Sequence, residues 1–324
     1  MPVSDHHKAD LAVAIVSHND ARWLAPCLSS ILEHAGDARL DVIVVDNGSD
    51  GAHELVASVF SDVRAVTAEN HGFGSANNVA LMASSARHVL FLNPDTQIVD
   101  GSLGDLVRHM DDNRDVGLIG VRQLTADGSL WPTIRYFPGF TRALGDALAS
   151  ERWPRRGRWA GERELDSTLY ERETDCDWTS GSFMLARREA LLSGGLFDER
   201  FFIYSEEPDL CLRMRKAGWT IRHVPSMTIV HHARKAGVQP RMIAQEAFTR
   251  RQYALKHFTR SHRIAYLTAV GSRHALRAAV GGSRHSAERQ AARLALRTLV
   301  GLAEPPYRVP PATAFPVHGS RGPM

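Results

Sequence analysis

Over the first 120 residues, short apolar runs alternate with stretches of helical spacing. Leu11–Val16 (LAVAIV), Leu40–Val45 (LDVIVV) and His88–Leu92 (HVLFL) are rich in β-branched and aromatic side chains, with little polar alternation. Runs of this length and kind predict strands covered on both faces, as in a parallel sheet. Val63–Thr67 and Gly117–Val121 carry the same signal more weakly. Between them, Arg22–His34, Ala52–Phe60 and Ser75–Ala86 have the spacing and length of helices. The alternation predicts an α/β fold with a Rossmann-like, mostly parallel twisted sheet flanked by helices. In such a sheet the ligand lies outside the carboxyl ends of the strands, so the residues after each strand are the ones to inspect.

The remainder is less regular. Residues 121–175 set Trp131, Trp153 and Trp159 among arginines, prolines and glycines, and predict a long connection. Asp177–Ala186 (DWTSGSFMLA) returns to a strand-like pattern. Glu207–Ala217 predicts a helix with Leu210, Met214 and Ala217 on one face, and Thr228–Val230 a further strand. Residues 241–300 read as helical and basic. Residues 304–324 hold six prolines and three charged side chains, the composition of a disordered end. No internal repeat is visible.

Composition adds limits. The 324 residues are 44% hydrophobic and 23% charged, an ordinary globular balance. No apolar run approaches the roughly 20 residues of a membrane span, and the polar stretch Met1–Asp10 has no signal-peptide core. Cys27, Cys176 and Cys211 are scattered and form no CxxC pair, which argues against a disulfide framework or a zinc knuckle and favours a reducing cytoplasm. The net charge of +3 hides an asymmetry: residues 1–240 carry −8 and residues 241–324 carry +11. Such a basic end suits an anionic membrane surface, a lipid diphosphate or a nucleic acid, or is simply a solvated helical face. It lacks the aromatic interleaving of single-strand binders, so nucleic acid is not expected.

The strand ends carry the chemistry. Ser17-His18-Asn19 follows the first strand and can meet a nucleotide base. Asp46-Asn47-Gly48-Ser49-Asp50 follows the second; its acid can accept from a ribose or base, or can cap the next helix. Asn70-His71-Gly72-Phe73-Gly74-Ser75-Ala76-Asn77-Asn78 opens the third helix, and its glycines permit close backbone approach to an anion. It is not a dinucleotide fingerprint, because the third glycine would fall at Asn77 and the loop does not follow the first strand. Asn93-Pro94-Asp95-Thr96 leaves Asp95 at a strand tip, where one carboxylate can hold a hard divalent ion that also binds a diphosphate. Further on, Glu206, Glu207 and Asp209 gather at a helix start beside aromatic residues; they suit either the helix dipole or a general base tuned by its surroundings. His231-His232 ends the chain's last strand-like run, and a neutral imidazole there is a metal-ligand candidate.

In this order and spacing the segments DNGSD, NHGFGSANN, LNPDT, DWTSGSFMLARREAL and FDERFFIYSEEPDLCLRMRKAGW resemble the family 2 glycosyltransferases of the GT-A fold, and most of all their bacterial rhamnosyltransferase-like branch. The resemblance covers roughly residues 11–240. It implies an inverting enzyme that moves a sugar, rhamnose in that branch, from a nucleotide-diphosphate donor (dTDP- or UDP-linked) to an acceptor hydroxyl, in cell-wall or surface-polysaccharide assembly. It implies that Ser17, Asn19, Asp46 and Asn47 line the nucleotide pocket and that Asn70, Gly72 and Asn78 shape its wall. Asp95 matches the second acid of the family's DxD metal motif, with Asn93 in place of the first, and His231 matches a downstream histidine that completes a site for Mg2+ or Mn2+; His232 is its near rival. Glu207 stands where the family has its catalytic Asp, with Asp209 as the alternative base. Ala233-Arg234-Lys235-Ala236 departs from the family's Gly-rich stretch after that histidine.

The resulting plan has a polar tail (1–10), a nucleotide-sugar half (11–120), an acceptor and catalytic half (121–240), a basic helical extension (241–303) and a disordered tail (304–324). The extension is expected to touch the inner face of the membrane, with Tyr253, Phe258, Tyr266 and Leu267 as an apolar side suited to a polyprenyl-diphosphate-linked or saccharide acceptor, or to form a homodimer. Two other readings compete. A sugar nucleotidyltransferase would need a basic Gly-rich loop after the first strand, where Ser17-His18-Asn19 stands. A degenerate carbohydrate-binding protein would have no reason to keep Asp46, Asp95 and the Glu207/Asp209 acids.

Overall fold

The computed structural model describes residues 9–148, 157–232, 239–280 and 286–309. Trp153, the stretch Ala233–Ala236, most of the N-terminal tail and residues 310–324 lie outside the described residues.

The apolar runs form the centre of one sheet. Strands β1 (Leu11–Ser17), β2 (Leu40–Asp46), β3 (Val63–Thr67) and β4 (His88–Leu92) are parallel, in the order β3-β2-β1-β4. Every residue of β1 and β4 is buried, as expected of strands packed on both faces. Helices α1 (Ala21–Glu33), α2 (Ala52–Val59) and α3 (Phe73–Met82) connect them, and α3 begins two residues before the predicted Ser75.

Beyond β4 the sheet turns mixed. β8 (Phe183–Arg187) runs antiparallel to β4 and to β6 (Val116–Thr125). β6 is parallel to β9 (Thr220–His231), whose outer partners β5 (Thr96–Asp100) and β7 (Thr174–Cys176) are antiparallel. The weak Gly117–Val121 pattern is thus the middle of a ten-residue strand, and the 120/121 boundary cuts through it. Thr228–Val230 is the end of a strand of twelve residues, and only the last part of Asp177–Ala186 is strand. Helices α4 (Leu103–Asp112), α6 (Arg188–Gly194) and α7 (Glu206–Lys216) complete this half. Leu210 and Met214 of α7 are buried as predicted, but Ala217 is an exposed cap residue. The expected irregular connection over 121–175 holds the end of β6, helix α5 (Phe140–Ala147), a short 3-10 turn (Ser167–Glu171) and β7. Its elements are too short to register as periodic patterns.

Two apolar clusters flank the sheet. One joins Leu24, Leu28 and Ile31 of α1 with Leu106 and Met110 of α4. The other joins Ala80 of α3 with Leu191 of α6 and Leu210 and Met214 of α7. A third lies away from the sheet, among α5, α8 (Pro240–His257), α9 (Arg260–Val280) and α10 (Ser286–Leu299). Tyr253 and Tyr266 are buried and Phe258 and Leu267 pack against this cluster. The apolar side expected to face a membrane is therefore the inside of a helical subdomain. The supposed tail also starts ordered: Tyr307 stacks on Phe202 with ring centroids 5.2 Å apart, and its N–H donates to Gln245 Oε1.

Candidate active site

The strand order reverses between β1 and β4, so the loops after them diverge and leave a crevice. On its β1–β2 side the loops are laced together by main-chain bonds. Asn19, in a left-handed conformation with φ 58°, accepts at Oδ1 from the N–H of Ser49 (3.0 Å) and from its hydroxyl. Asp46 accepts from the N–H of Gly48 and of His53, both at 3.0 Å, and so caps α2 where Gly51 offers no side chain. Its carboxylate is occupied by the turn, the simpler of the two roles foreseen for it. Asn47 donates to Asn70 Oδ1 at 3.5 Å, and His18 Nδ1 lies 3.0 Å from the Asn47 carbonyl. Two polar atoms in this buried corner have no partner: Ser17 Oγ and Asn47 Oδ1. Buried polar groups are rarely left so, and these are the positions where a ligand's donors can bind.

Gly72 joins this corner to the far side. Its φ is +103°, and a Cβ there would lie 2.1 Å from the Phe202 carbonyl, so only glycine fits. The adjacent Phe73 N–H donates to that same carbonyl at 2.8 Å. Asn78 holds the same loop from α3, donating to the Phe197 carbonyl and to Glu199 and accepting from the Phe197 N–H. Its side chain is spent on anchoring rather than on the pocket surface.

At the β4 tip the Asn93 N–H donates to the Ser182 carbonyl, fixing the turn that presents Asp95. Because Thr96 of β5 pairs with His231 of β9, Asp95 and His231 meet: Oδ1 and Nε2 are 3.2 Å apart. His232 faces away, stacked on Trp23 and 2.6 Å from Gln97 Oε1. Of the two histidines, His231 is the one that shares a site with Asp95. No third His, Cys, Asp or Glu joins them in a metal-binding group among the described residues. One carboxylate and one imidazole leave the other positions to diphosphate oxygens and water, which is how Mg2+ and similar ions are commonly held.

The acidic helix start resolves into three different environments. Tyr204 and Ser205 both have positive φ, 72° and 69°, a strained entry of the sort found at functional sites. Glu206 is buried with Oε2 unpartnered. Burial and the neighbouring Glu207 charge raise its carboxyl well above the usual range. Glu207 is half-buried and opens into a cavity of about 300 Å³ lined by Arg135, Trp178, Tyr204, Glu162 and Arg250 among others. Burial raises its carboxyl too, while the backbone N–H groups at its own position and at Gly181 and the Arg135 charge hold it down in part. Asp209 is fully buried and saturated: Arg213 donates to Oδ2 at 2.7 and 2.9 Å, and Lys256 and His257 each reach Oδ1 at 2.6 Å. Despite burial, these partners lower its carboxyl.

Two things were missed in the sequence. Helix α8 is part of this site: Lys256 ties Asp198 as well as Asp209, and Arg250 binds both oxygens of Glu162 together with Glu246. Arg135 stands over Trp178 (5.5 Å to the ring centroid), with its Nε buried and unpartnered. Nothing periodic marks Arg135, and His257, Lys256 and Arg250 of α8 lie 48, 58 and 88 residues downstream of Asp209, Asp198 and Glu162; only opposite charge hints at the pairing.

A mixed sheet with its crevice at this switch point, a carboxylate–imidazole pair at a strand tip and a buried acid at a helix start is the architecture of a GT-A glycosyltransferase. In fold the chain is similar to GalNAc-T7 with UDP, GalNAc and Mn2+ (TM-score 0.59, 13% identity), covering 89% of this chain but only 55% of that one. It is also similar to the mannosyltransferase PcManGT of Pyrobaculum calidifontis with GDP-Man and Mn2+ (TM-score 0.50, 17% identity, 93% of this chain and 83% of that one). The model of glycosyl transferase family 2 matches residues 12–191, more than half the chain, and the chain belongs to that family. Among curated proteins it is 33% identical over 244 residues to the N-acetylglucosaminyl-diphospho-decaprenol L-rhamnosyltransferase of Mycobacterium tuberculosis, covering 71% of this chain and 78% of that protein. It is 25% identical over 229 residues to rhamnosyltransferase WbbL of Escherichia coli K12, covering 68% and 83%. The chain is a rhamnosyltransferase-like glycosyltransferase of cell-wall or polysaccharide assembly.

Proposed function

We propose that the enzyme transfers L-rhamnose from a dTDP-linked donor to a hydroxyl of a sugar carried on a polyprenyl diphosphate, with inversion at the anomeric carbon. The observation that carries the mechanism is the separation of roles: Asp95 and His231 meet at one strand tip, and Glu207 opens into a cavity of its own. The choice of sugar and acceptor is supported by the likeness to the mycobacterial rhamnosyltransferase.

Ser17 and Asn47 take the nucleotide with their unpartnered atoms, and Gly72 brings the backbone close. Asp95 and His231 would hold Mg2+ or Mn2+, which would supply positive charge to neutralise a departing diphosphate. Glu207 accepts the acceptor's hydroxyl proton at a carboxylate oxygen as the hydroxyl oxygen attacks the sugar. Glu207 is the base rather than Asp209, whose lone pairs are taken by Arg213, Lys256 and His257. Trp178, with Arg135 over its ring, lines the cavity where the acceptor sugar would sit.

The test is a transfer assay with dTDP-rhamnose, Mn2+ and a short-chain polyprenyl-diphospho-N-acetylglucosamine, read by mass spectrometry. One deoxyhexose added to the acceptor is expected. Transfer from UDP-hexoses alone would move the donor assignment, and no transfer from any nucleotide sugar would overturn the enzymatic reading.

A further inference from the structure

Helix α10 packs on α8 and α9 of the helical subdomain. Ala291, Ala292, Ala295 and Leu299 are buried on its inner face. Arg289, Arg293 and Arg297 recur every four residues and therefore share one face, opposite the buried alanines. They flank a groove of about 450 Å³ together with Leu294. Arginines in the body of the protein are mostly bound: Arg39, Arg64, Arg87, Arg213 and Arg222 each pair with a carboxylate. The three on α10 pair with none among the described residues. Of the three acids in residues 241–324, Glu246 and Glu304 are held by Arg250 and Arg308, which leaves Glu288 alone near the stripe. The stripe continues into exposed apolar side chains just past the helix end, Val300 (58% exposed) and Leu302 (71%). Cationic rows beside exposed aliphatic side chains complement the headgroups and the acyl boundary of an anionic bilayer.

The location suits the chemistry. Thr298 and Gly301, at the same end of α10, line a cavity of about 770 Å³ whose other walls include His71 and Phe202, on either side of the Gly72 contact. No described helix is long and apolar enough to cross a membrane. We propose that the protein docks on anionic bilayers through the Arg289–Arg293–Arg297 face of α10, with Val300 and Leu302 entering the headgroup layer. The purpose of this docking rests on the lipid-linked acceptor proposed above, but the binding itself does not.

The experiment is flotation of the full chain with vesicles of phosphatidylcholine, with and without 30% phosphatidylglycerol (about one lipid in three), and no polyprenyl lipid present. Binding to the anionic vesicles only, released by high salt, is expected. A triple Arg→Gln variant at 289, 293 and 297 should bind on the order of 100-fold more weakly, at about 1 kcal/mol per cation near the surface. The triple Arg→Lys variant should bind like the parent, and Leu302→Ser should weaken binding less than the Gln variant. Thermal shift with dTDP and Mn2+ should be the same in all, which separates failure of docking from failure of the donor site. Three results would overturn the proposal: no binding of the parent to anionic vesicles, equal binding by the Gln variant, or loss in the Lys variant as large as in the Gln variant. Tighter binding to duplex DNA than to vesicles at equal salt would reassign the face.

Discussion

The two sides of the active site are built by different means. On the donor side, Asp46 and Asn19 are held by main-chain N–H groups of the loops that follow β1 and β2. On the acceptor side, Asp198, Asp209 and Glu162 are held by Lys256, His257 and Arg250 of α8, a helix well downstream. The β1–β2 corner of the donor side uses bonds between two neighbouring strand-end loops. The acceptor side uses buried ion pairs between distant segments, and a lone member of such a pair is costly. The part proposed to meet the acceptor thus depends on a second substructure, the helical one that contains α8.

The contrast within the first turn of α7 is the sharpest test. Glu207→Gln should lower kcat by about 10²–10⁴-fold, the usual worth of a general base, with donor affinity nearly unchanged and no loss in melting temperature. Asp209→Asn should do the reverse. It leaves Arg213, Lys256 and His257 around an uncharged group, and breaking a buried pair costs about 3–5 kcal/mol. At roughly 2–4 °C per kcal/mol for chains of this order, the melting temperature should drop by on the order of 10 °C. Similar melting of the two variants, with activity lost only in Asp209→Asn, would exchange the roles.

The donor side breaks differently. Asp95→Asn or His231→Ala should remove the part of the dTDP-induced thermal shift that depends on Mn2+. Turnover should fall at least as far as the roughly 10–100-fold that even outer partners of metal sites are worth. His232→Ala, which loses only its stacking on Trp23 and its contact with Gln97, should keep the Mn2+ effect. A Mn2+ effect that survives in Asp95→Asn would place the ion elsewhere.

The same contrast explains what could be read from the sequence. β1, β2 and β4 declare themselves because strands buried on both faces are continuous apolar runs, and the polar residues after them mark the crevice. β5 and β7 do not, being short partners at the sheet margin whose existence is set by β9. The helical character of 241–300 was visible, but its orientation was not. Tyr253 and Tyr266 look like a membrane-facing stripe until their partners in α5 and α10 are known. Arg135 could not be recognised as part of the site, because its neighbourhood is assembled from Trp178, Glu207 and Arg250, none of them near it in sequence.

A smaller effect bears on how the acceptor side tunes its base. Burial raises the Glu207 carboxyl above its ordinary 4.5, against the Arg135 charge and the Gly181 N–H. The charged and titratable groups around it are Arg135 from the segment after β6, Glu162 from the segment after α5, Glu206 and Tyr204 at the start of α7, and Glu246 and Arg250 from α8. A base must be ionised, so kcat should fall as pH drops through this raised value, and the acid limb should lie above the ordinary carboxylate range. Arg135→Gln should move that limb further up, and Arg135→Lys should restore it. For stability the sign is opposite to that of Asp209. Between 4.5 and the raised value the folded state holds more protons at Glu207 than the unfolded state, so this residue's contribution falls as pH rises through the window. Asp209, lowered from 3.8, contributes stability above that pH and loses it as pH falls through its folded value. Glu207→Gln should therefore melt higher than the parent above the window and converge with it below, measured by thermal unfolding across pH. A parent enzyme whose acid limb sits at or below 4.5 would mean that the base is a solvated carboxylate, and Glu207 would lose the role.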